Sequence, residues 1–284
     1  MNQVGVIAAF TLRESLRRRV FLVVALLTLA FLGLYGLGTW KLFDELDKNS
    51  LDTAGVELGI VAAATLLGLA MFATLFLGTI LAVFLTLGAV RGDAERGLLQ
   101  PVLVRPLRRR TVLLGRFAAA ASVCAVYVIV VFMATAVITY AFSSWWPDRI
   151  VVPAIQLALA VTVIAALSLG GSVVLASTAN GIAVFMIFGA GLTAGLLGQI
   201  GQALGSDTLD NVSRVVSWAL PFEALYQSAL SQLTTDTVGF TRLAIDLGPF
   251  GGAESAGVGL WPWTAAYLVV VGVVATVAFA RRDL

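Results

Sequence analysis

Apolar residues run along this chain in stretches too long for a soluble core, and the charges gather between them. A helix that crosses a bilayer takes roughly 20 mostly apolar residues, and a charge at its centre costs about 2.5–3.5 kcal/mol on insertion scales. Charge-free stretches therefore mark the crossings. Val20 to Trp40 is the first, 21 residues long. Leu58 to Val90 covers 33 residues, about 50 Å as a helix, so it projects beyond the membrane or breaks. Phe117 to Pro147 is the third. The 57 residues from Ile150 to Ser206 hold two crossings, with a turn expected where Ser177, Thr178, Asn180 and Gly181 cluster. Pro262 to Ala280 is the last. The pattern predicts an all-α polytopic membrane protein, one domain over 1–284, with spans at about 20–40, 58–90, 113–143, 153–177, 181–205 and 262–280.

The segments between spans carry their own patterns. Residues 2–17 place Val4, Ile7, Ala8, Thr11 and Leu12 on one side, with Arg13, Arg17 and Arg18 near the end. This reads as an interfacial helix over 1–19, or as a plain basic anchor for the first span. The first 40 residues superficially look like a signal peptide, but the apolar run is too long and no cleavage site with polar flanks follows; an uncleaved first span is expected. Between the fifth and sixth spans, residues 207–261 hold six acids and two arginines, Arg214 and Arg242. Their first half has helical spacing, with Val212, Val215, Val216, Ala219 and Phe222 on one side and Pro221 interrupting. A short cap or a re-entrant element suits it, and 246–259 reads as a Gly-rich loop. Trp145, Trp146, Trp261 and Trp263 sit at span ends, as interface anchors do. Gly191 and Gly195 are four apart, as are Gly201 and Gly205. Such spacing lets backbones approach, in ordinary helix packing or at a dimer seam or pore wall.

Composition agrees with lipid as the main solvent: 60% of side chains are apolar, 12% are charged, and mean hydropathy is +0.98. Soluble domains carry about 25% charged residues. Charge then orients the spans. The N-terminal segment, the Arg91–Arg116 loop and the C-terminus hold 13 basic and four acidic residues, a net +9. The other side holds five basic and twelve acidic residues, a net −7. With six spans, both termini and the Arg91–Arg116 loop face the cytoplasm. The chain has no His and one Cys, Cys124, which excludes His- or Cys-built metal sites, Ser–His catalysis and an intrachain disulfide. Neither Lys41 nor Lys48 follows a Gly, so the chain has no phosphate loop to hydrolyse ATP. None of the six spans contains the carboxylate, Lys or Arg that an ion-coupled transporter needs. Their polar groups are hydroxyls and amides such as Thr65, Thr74, Thr79, Thr135, Gln156, Ser168, Ser172, Asn180 and Gln199, most of them expected to bond back to their own helix. An energy source belongs to another protein.

The cytoplasmic loop is where that protein would attach. It carries a charged pair and a Gly (Glu95, Arg96, Gly97), an apolar patch, a Pro and a basic cluster ending at Arg116. As physics alone it is a basic loop attractive to anionic lipid heads. Glu95, Arg96, Gly97, Leu99, Leu103, Pro106, Arg109, Leu113, Leu114, Gly115 and Arg116 resemble the loop between the second and third spans of the type-2 permeases of ATP-binding-cassette (ABC) exporters. The ending Phe279-Ala280-Arg281-Arg282-Asp283-Leu284 is similar to that family as well. Leu98 stands where Thr is common, and Pro101 interrupts a stretch usually apolar throughout, which bears on the exact docking helix. Within the family the chain looks most like the six-span group that includes the nitrous oxide reductase maturation permease. Its lack of His and scarcity of Cys and Met give soft-metal handling no support.

The resemblance implies a non-catalytic membrane subunit that binds no cofactor directly, with ATP and Mg held by two copies of a cytoplasmic ABC ATPase. It also implies a second permease copy, most simply a homodimer, with the second and fifth spans meeting at the central path. Membrane lipid is the remaining partner, and no nucleic acid is involved. The location is the cytoplasmic membrane of a prokaryote. The coupling loop, 91–112, would engage the ATPase through Glu95, Arg96, Gly97, Leu98, Leu99, Leu103, Pro106 and Arg109. Val215, Ala219, Pro221 and Phe222 are the outer-gate candidates, their apolar side packing on the outer ends of the spans. The charge-free spans suggest an apolar or amphipathic cargo. The alternative is a non-transporting scaffold or assembly factor that docks a cytoplasmic partner on the basic loop.

Overall fold

The computed structural model describes residues 19–49, 54–87, 109–233 and 257–281. Among the described residues there are eight helices and no strand: α1 (Arg19–Asn49), α2 (Ala54–Thr86), α3 (Arg109–Ser143), α4 (Val151–Val174), α5 (Ser177–Leu204), α6 (Asp207–Ala219), α7 (Pro221–Leu233) and α8 (Leu260–Ala280). Six of them, α1 to α5 and α8, are long and apolar enough to cross a membrane. The expected interfacial helix over 1–19 lies almost wholly outside the described residues.

Helix ends differ from the charge-free stretches for physical reasons. α1 continues nine residues past Trp40 to Asn49, stitched by an ion pair between Lys48 and Asp44. Absence of charge marks the part that lipid can cover, whereas a helix propagates through any residues that tolerate it. α2 is unbroken over 33 residues, so the long second stretch projects rather than breaks. α3 begins at Arg109, which places the end of the expected coupling loop, 109–112, inside a 35-residue helix.

The turn between the fourth and fifth spans also moves. It occupies Leu175 and Ala176, and the expected turn residues 177–181 open α5 instead. Asn180 explains the shift: it is buried, and its amide donates to the Ser168 carbonyl at 2.8 Å. That bond ties the first turn of α5 onto α4. Gly171 makes room for it, since a Cβ there would strike Asn180 Oδ1.

α4 is the central post, with Leu157, Ala160, Val161, Val163 and Ala165 fully buried. It meets α2 and α3 at Gly78, where an added Cβ would lie 2.6 Å from Val128 Cγ2 and 2.9 Å from Val161 Cγ2. Close packing at small residues, with polar links between helices, is how spans associate when lipid supplies no hydrophobic drive. The links are a Thr86–Ser168 hydroxyl bond of 2.6 Å between α2 and α4, and a Tyr35–Thr139 bond of 2.6 Å between α1 and α3. Thr65, Thr74, Thr79, Thr135 and Ser172 bond back to their own helices. α1 and α8 sit at the periphery and leave Leu22, Leu29, Leu34, Val269 and Val274 exposed, as lipid-facing helices do.

Candidate functional site

The segment after the fifth span does not cap the bundle; it enters it. Gly205 ends α5 in the left-handed conformation, φ +63°, with the Ser206 amide donating to the Gly201 carbonyl at 2.8 Å. A residue with a Cβ is disfavoured there, and glycine is the usual helix terminator. So Gly205 turns the chain, while Gly201 packs. α6 then runs back along α5: Gly201 faces the backbone of Asp210 and the side chain of Leu209, and Gly198 faces Ser213. At Leu220 the helix breaks and Pro221 opens α7, a position where its missing amide hydrogen costs nothing.

The tip of this hairpin lies at the middle of α5. Phe222 is fully buried, stacks on Phe188 with ring centroids 5.7 Å apart, and fills the space above Gly191, where a Cβ would lie 2.5 Å from its ring. From there α7 returns between α4, α2 and α5. Tyr226 meets Phe72 of α2 edge-on at 6.2 Å, and Leu230 packs on Gly68. Ser228 accepts a 2.9 Å bond from Gln156 of α4. On the α8 side, Trp263 donates its indole N–H at 2.9 Å to the carbonyl of Trp218, two residues before the break at Leu220. Trp263 therefore does more than anchor an interface: it ties α8 to α6.

Four glycines, Gly191, Gly195, Gly198 and Gly201, form one stripe on α5, and the whole hairpin rests on it. The stripe serves a contact within the chain. A carboxyl lies in it. Glu223 has no exposed surface; its Oε1 accepts from Gln227 Nε2 at 3.1 Å, and its Oε2 has no hydrogen-bond partner among the described residues. A Cβ at Gly195 would collide with Glu223 Oε1 and lie 2.9 Å from Gln227 Nε2. The charge-free stretches of the six spans hold no acid, yet an acid sits among them, contributed by the segment read as a short cap or a re-entrant element. Sequence reasoning missed it, although the Glu223–Gln227 pair at i,i+4 and the glycine stripe were both visible. Beside the hairpin, near the start of α8, is a cavity of about 450 Å³ lined by Asp210, Ser213, Arg214, Trp218, Gln227 and Leu260.

The four gate candidates do not form one surface. Pro221 and Phe222 are buried in the bundle, but Val215 is 69% exposed and Ala219 is exposed, as is Val212. The expected apolar side packing on the span ends is thus corrected. The break at Leu220 resets the helical phase, so Phe222 turns inward while the Val212–Val215–Ala219 side faces out. α6 presents Ser213 to α5 instead. Of the coupling candidates, Glu95, Arg96, Gly97, Leu98, Leu99, Leu103 and Pro106 lie outside the described residues, and Arg109 starts α3.

A bundle of six apolar helices with a hairpin inserted among them is a multi-pass membrane architecture. The chain matches the model for the ABC-2 family transporter proteins over residues 6–284, and it belongs to that family. It is therefore a permease component of an ABC transporter, a family whose members work with an ATPase subunit and are not themselves catalytic. Comparison with curated proteins returned no match.

Proposed function

We propose that this chain is the membrane half of an ATP-driven exporter in a prokaryotic cytoplasmic membrane, with both termini and the 91–112 loop on the cytoplasmic side. It pairs with a second copy and with two copies of an ABC ATPase that dock on Glu95 to Arg109. Its cargo is apolar or amphipathic, in keeping with spans free of charge. The likeness to the nitrous oxide reductase maturation permeases belongs to this reading, without a metal cargo. Large apolar side chains left open on α2 (Leu69, Phe76, Phe84) and α5 (Ile182, Met186) support a second copy meeting these two spans.

The observation that carries the mechanism is the hairpin. A two-helix element entered from the outer side, with its tip at the midpoint of α5, plugs the path beside the very spans expected to line it. It acts as the outer gate, and ATP-driven movement of the spans separates it from α5. Gly198 and Ser213 give the test, because a Cβ at 198 would lie 3.1 Å from Ser213 Cβ, so a small outward shift of α6 reaches the roughly 3.5–4.5 Å Cβ separation of a disulfide. In a Cys124→Ser background, Gly198→Cys with Ser213→Cys is expected to cross-link on oxidation. Export then stops while ATP hydrolysis continues, and reductant restores export. Undiminished export by the cross-linked protein would overturn the gate.

A further inference from the structure

We propose that Glu223 is a proton-binding site: it holds a proton while the hairpin is packed in the bundle and releases it to the outer side when the hairpin separates from α5. Burial and the lack of a partner or counter-charge among the described residues both bear on this. The carboxyl has no exposed surface, one oxygen accepts from Gln227, and the other has no partner. An ionised carboxylate in such a place loses its hydration with nothing to replace it, whereas the neutral acid loses far less.

Among the described residues the surroundings offer no counter-ion. α4, α5 and α8 carry no charged residue over their described lengths. On α2 the one charged residue is Glu57 in the first turn, 15 positions before Phe72. α6 carries Asp207, Asp210 and Arg214, and Arg214 is paired to Asp210 at 2.9 Å. On α7 itself the nearest titratable group is Tyr226, and α8 adds Tyr267; neither supplies a positive charge. The proton has a way out, because Gln227 lines the 450 Å³ cavity and donates to Glu223.

The reaction is a simple exchange. Opening hydrates the carboxyl, the O–H bond breaks, the electron pair stays on oxygen and one proton goes to outer water; closing reverses it. The packed state binds the proton more tightly, so acid favours the closed hairpin and base favours the open one. For one proton, the open-to-closed ratio rises at most tenfold per pH unit, above the ordinary carboxyl value of about 4.3.

This inference rests on the gate reading, and the test separates the two. The intact permease–ATPase complex in lipid nanodiscs, in a Cys124→Ser background, takes spin labels at Val215→Cys on α6 and Leu34→Cys on α1, both exposed positions. Label distances are followed from pH about 5 to about 9 in the unmutated site and in Glu223→Gln, which copies the neutral acid in shape. The expected result is a second distance that grows with pH up to tenfold per unit, and a Glu223→Gln protein fixed in the closed distance. Difference infrared spectra add a second readout: a protonated carboxyl band persists near neutral pH in the unmutated protein, and it vanishes in Glu223→Gln. Absence of the band overturns the proton site and leaves the gate standing. A band with pH-independent distances, or an unchanged pH response in Glu223→Gln, overturns the coupling. Free export by the Gly198–Ser213 cross-linked protein overturns the gate itself.

Discussion

At Gly191, Gly195 and Gly198 a single hydrogen in place of a methyl decides whether the hairpin fits. Gly191 supports the Phe222 ring, Gly195 the Glu223–Gln227 pair and Gly198 the Ser213 side chain. Overpacking a close contact costs about 1–3 kcal/mol. Gly191→Val is therefore expected to lower the thermal unfolding midpoint of the purified chain and to loosen the hairpin. Gly189→Val is the control, since nothing lies within 4 Å of a Cβ at 189. Equal midpoints for the two variants would mean that Phe222 does not depend on this stripe. The glycine spacing was legible in the sequence as a close-approach face. What it approaches was not, because a stripe on one helix carries no record of which neighbour fills it.

Among the elements, the six spans follow from the length of charge-free sequence alone, and the structure keeps all six while moving their ends. The moved ends share a cause: hydropathy reports what lipid can cover, while Asn180, Lys48 and Asp44 set helix limits through local bonds. The hairpin was legible as a helical pattern broken by Pro221 that suited either a cap or a re-entrant element. Its burial was not, since Glu223, Gln227 and Gln232 look like water-facing residues until α2, α4 and α5 close around them. A continuous helix would align Phe222 with Val215, about two turns before it; the break at Leu220 puts them on different surfaces. α7, buried along most of its length, is expected to exchange its backbone amide hydrogens as slowly as α4, while α6 exchanges faster from its exposed side. Fast exchange throughout 222–233 in the intact complex would contradict a hairpin seated in the bundle.

For the whole molecule, the charge distribution and the hairpin point the same way. The net +9 side carries the loop expected to receive the ATPase, and the hairpin enters from the opposite end. In the proposed function, energy enters at one face and the seal lies toward the other, which routes coupling along α2, α4 and α5, the helices that hold the hairpin. Leu98, Leu99 and Leu103 are the proposed apolar anchors of the docking loop, and anchors of this kind often contribute about 1–3 kcal/mol each, in line with interface hot spots. The most direct measurement of the account is the ATP hydrolysis rate of the proposed partner ABC ATPase, reconstituted with this chain in proteoliposomes. The expected result is a rate stimulated by the chain and returned to the level of the ATPase alone by combined Leu98→Ala, Leu99→Ala and Leu103→Ala, with membrane insertion unchanged. An ATPase whose rate ignores the chain, or a triple variant that stimulates in full, would contradict it.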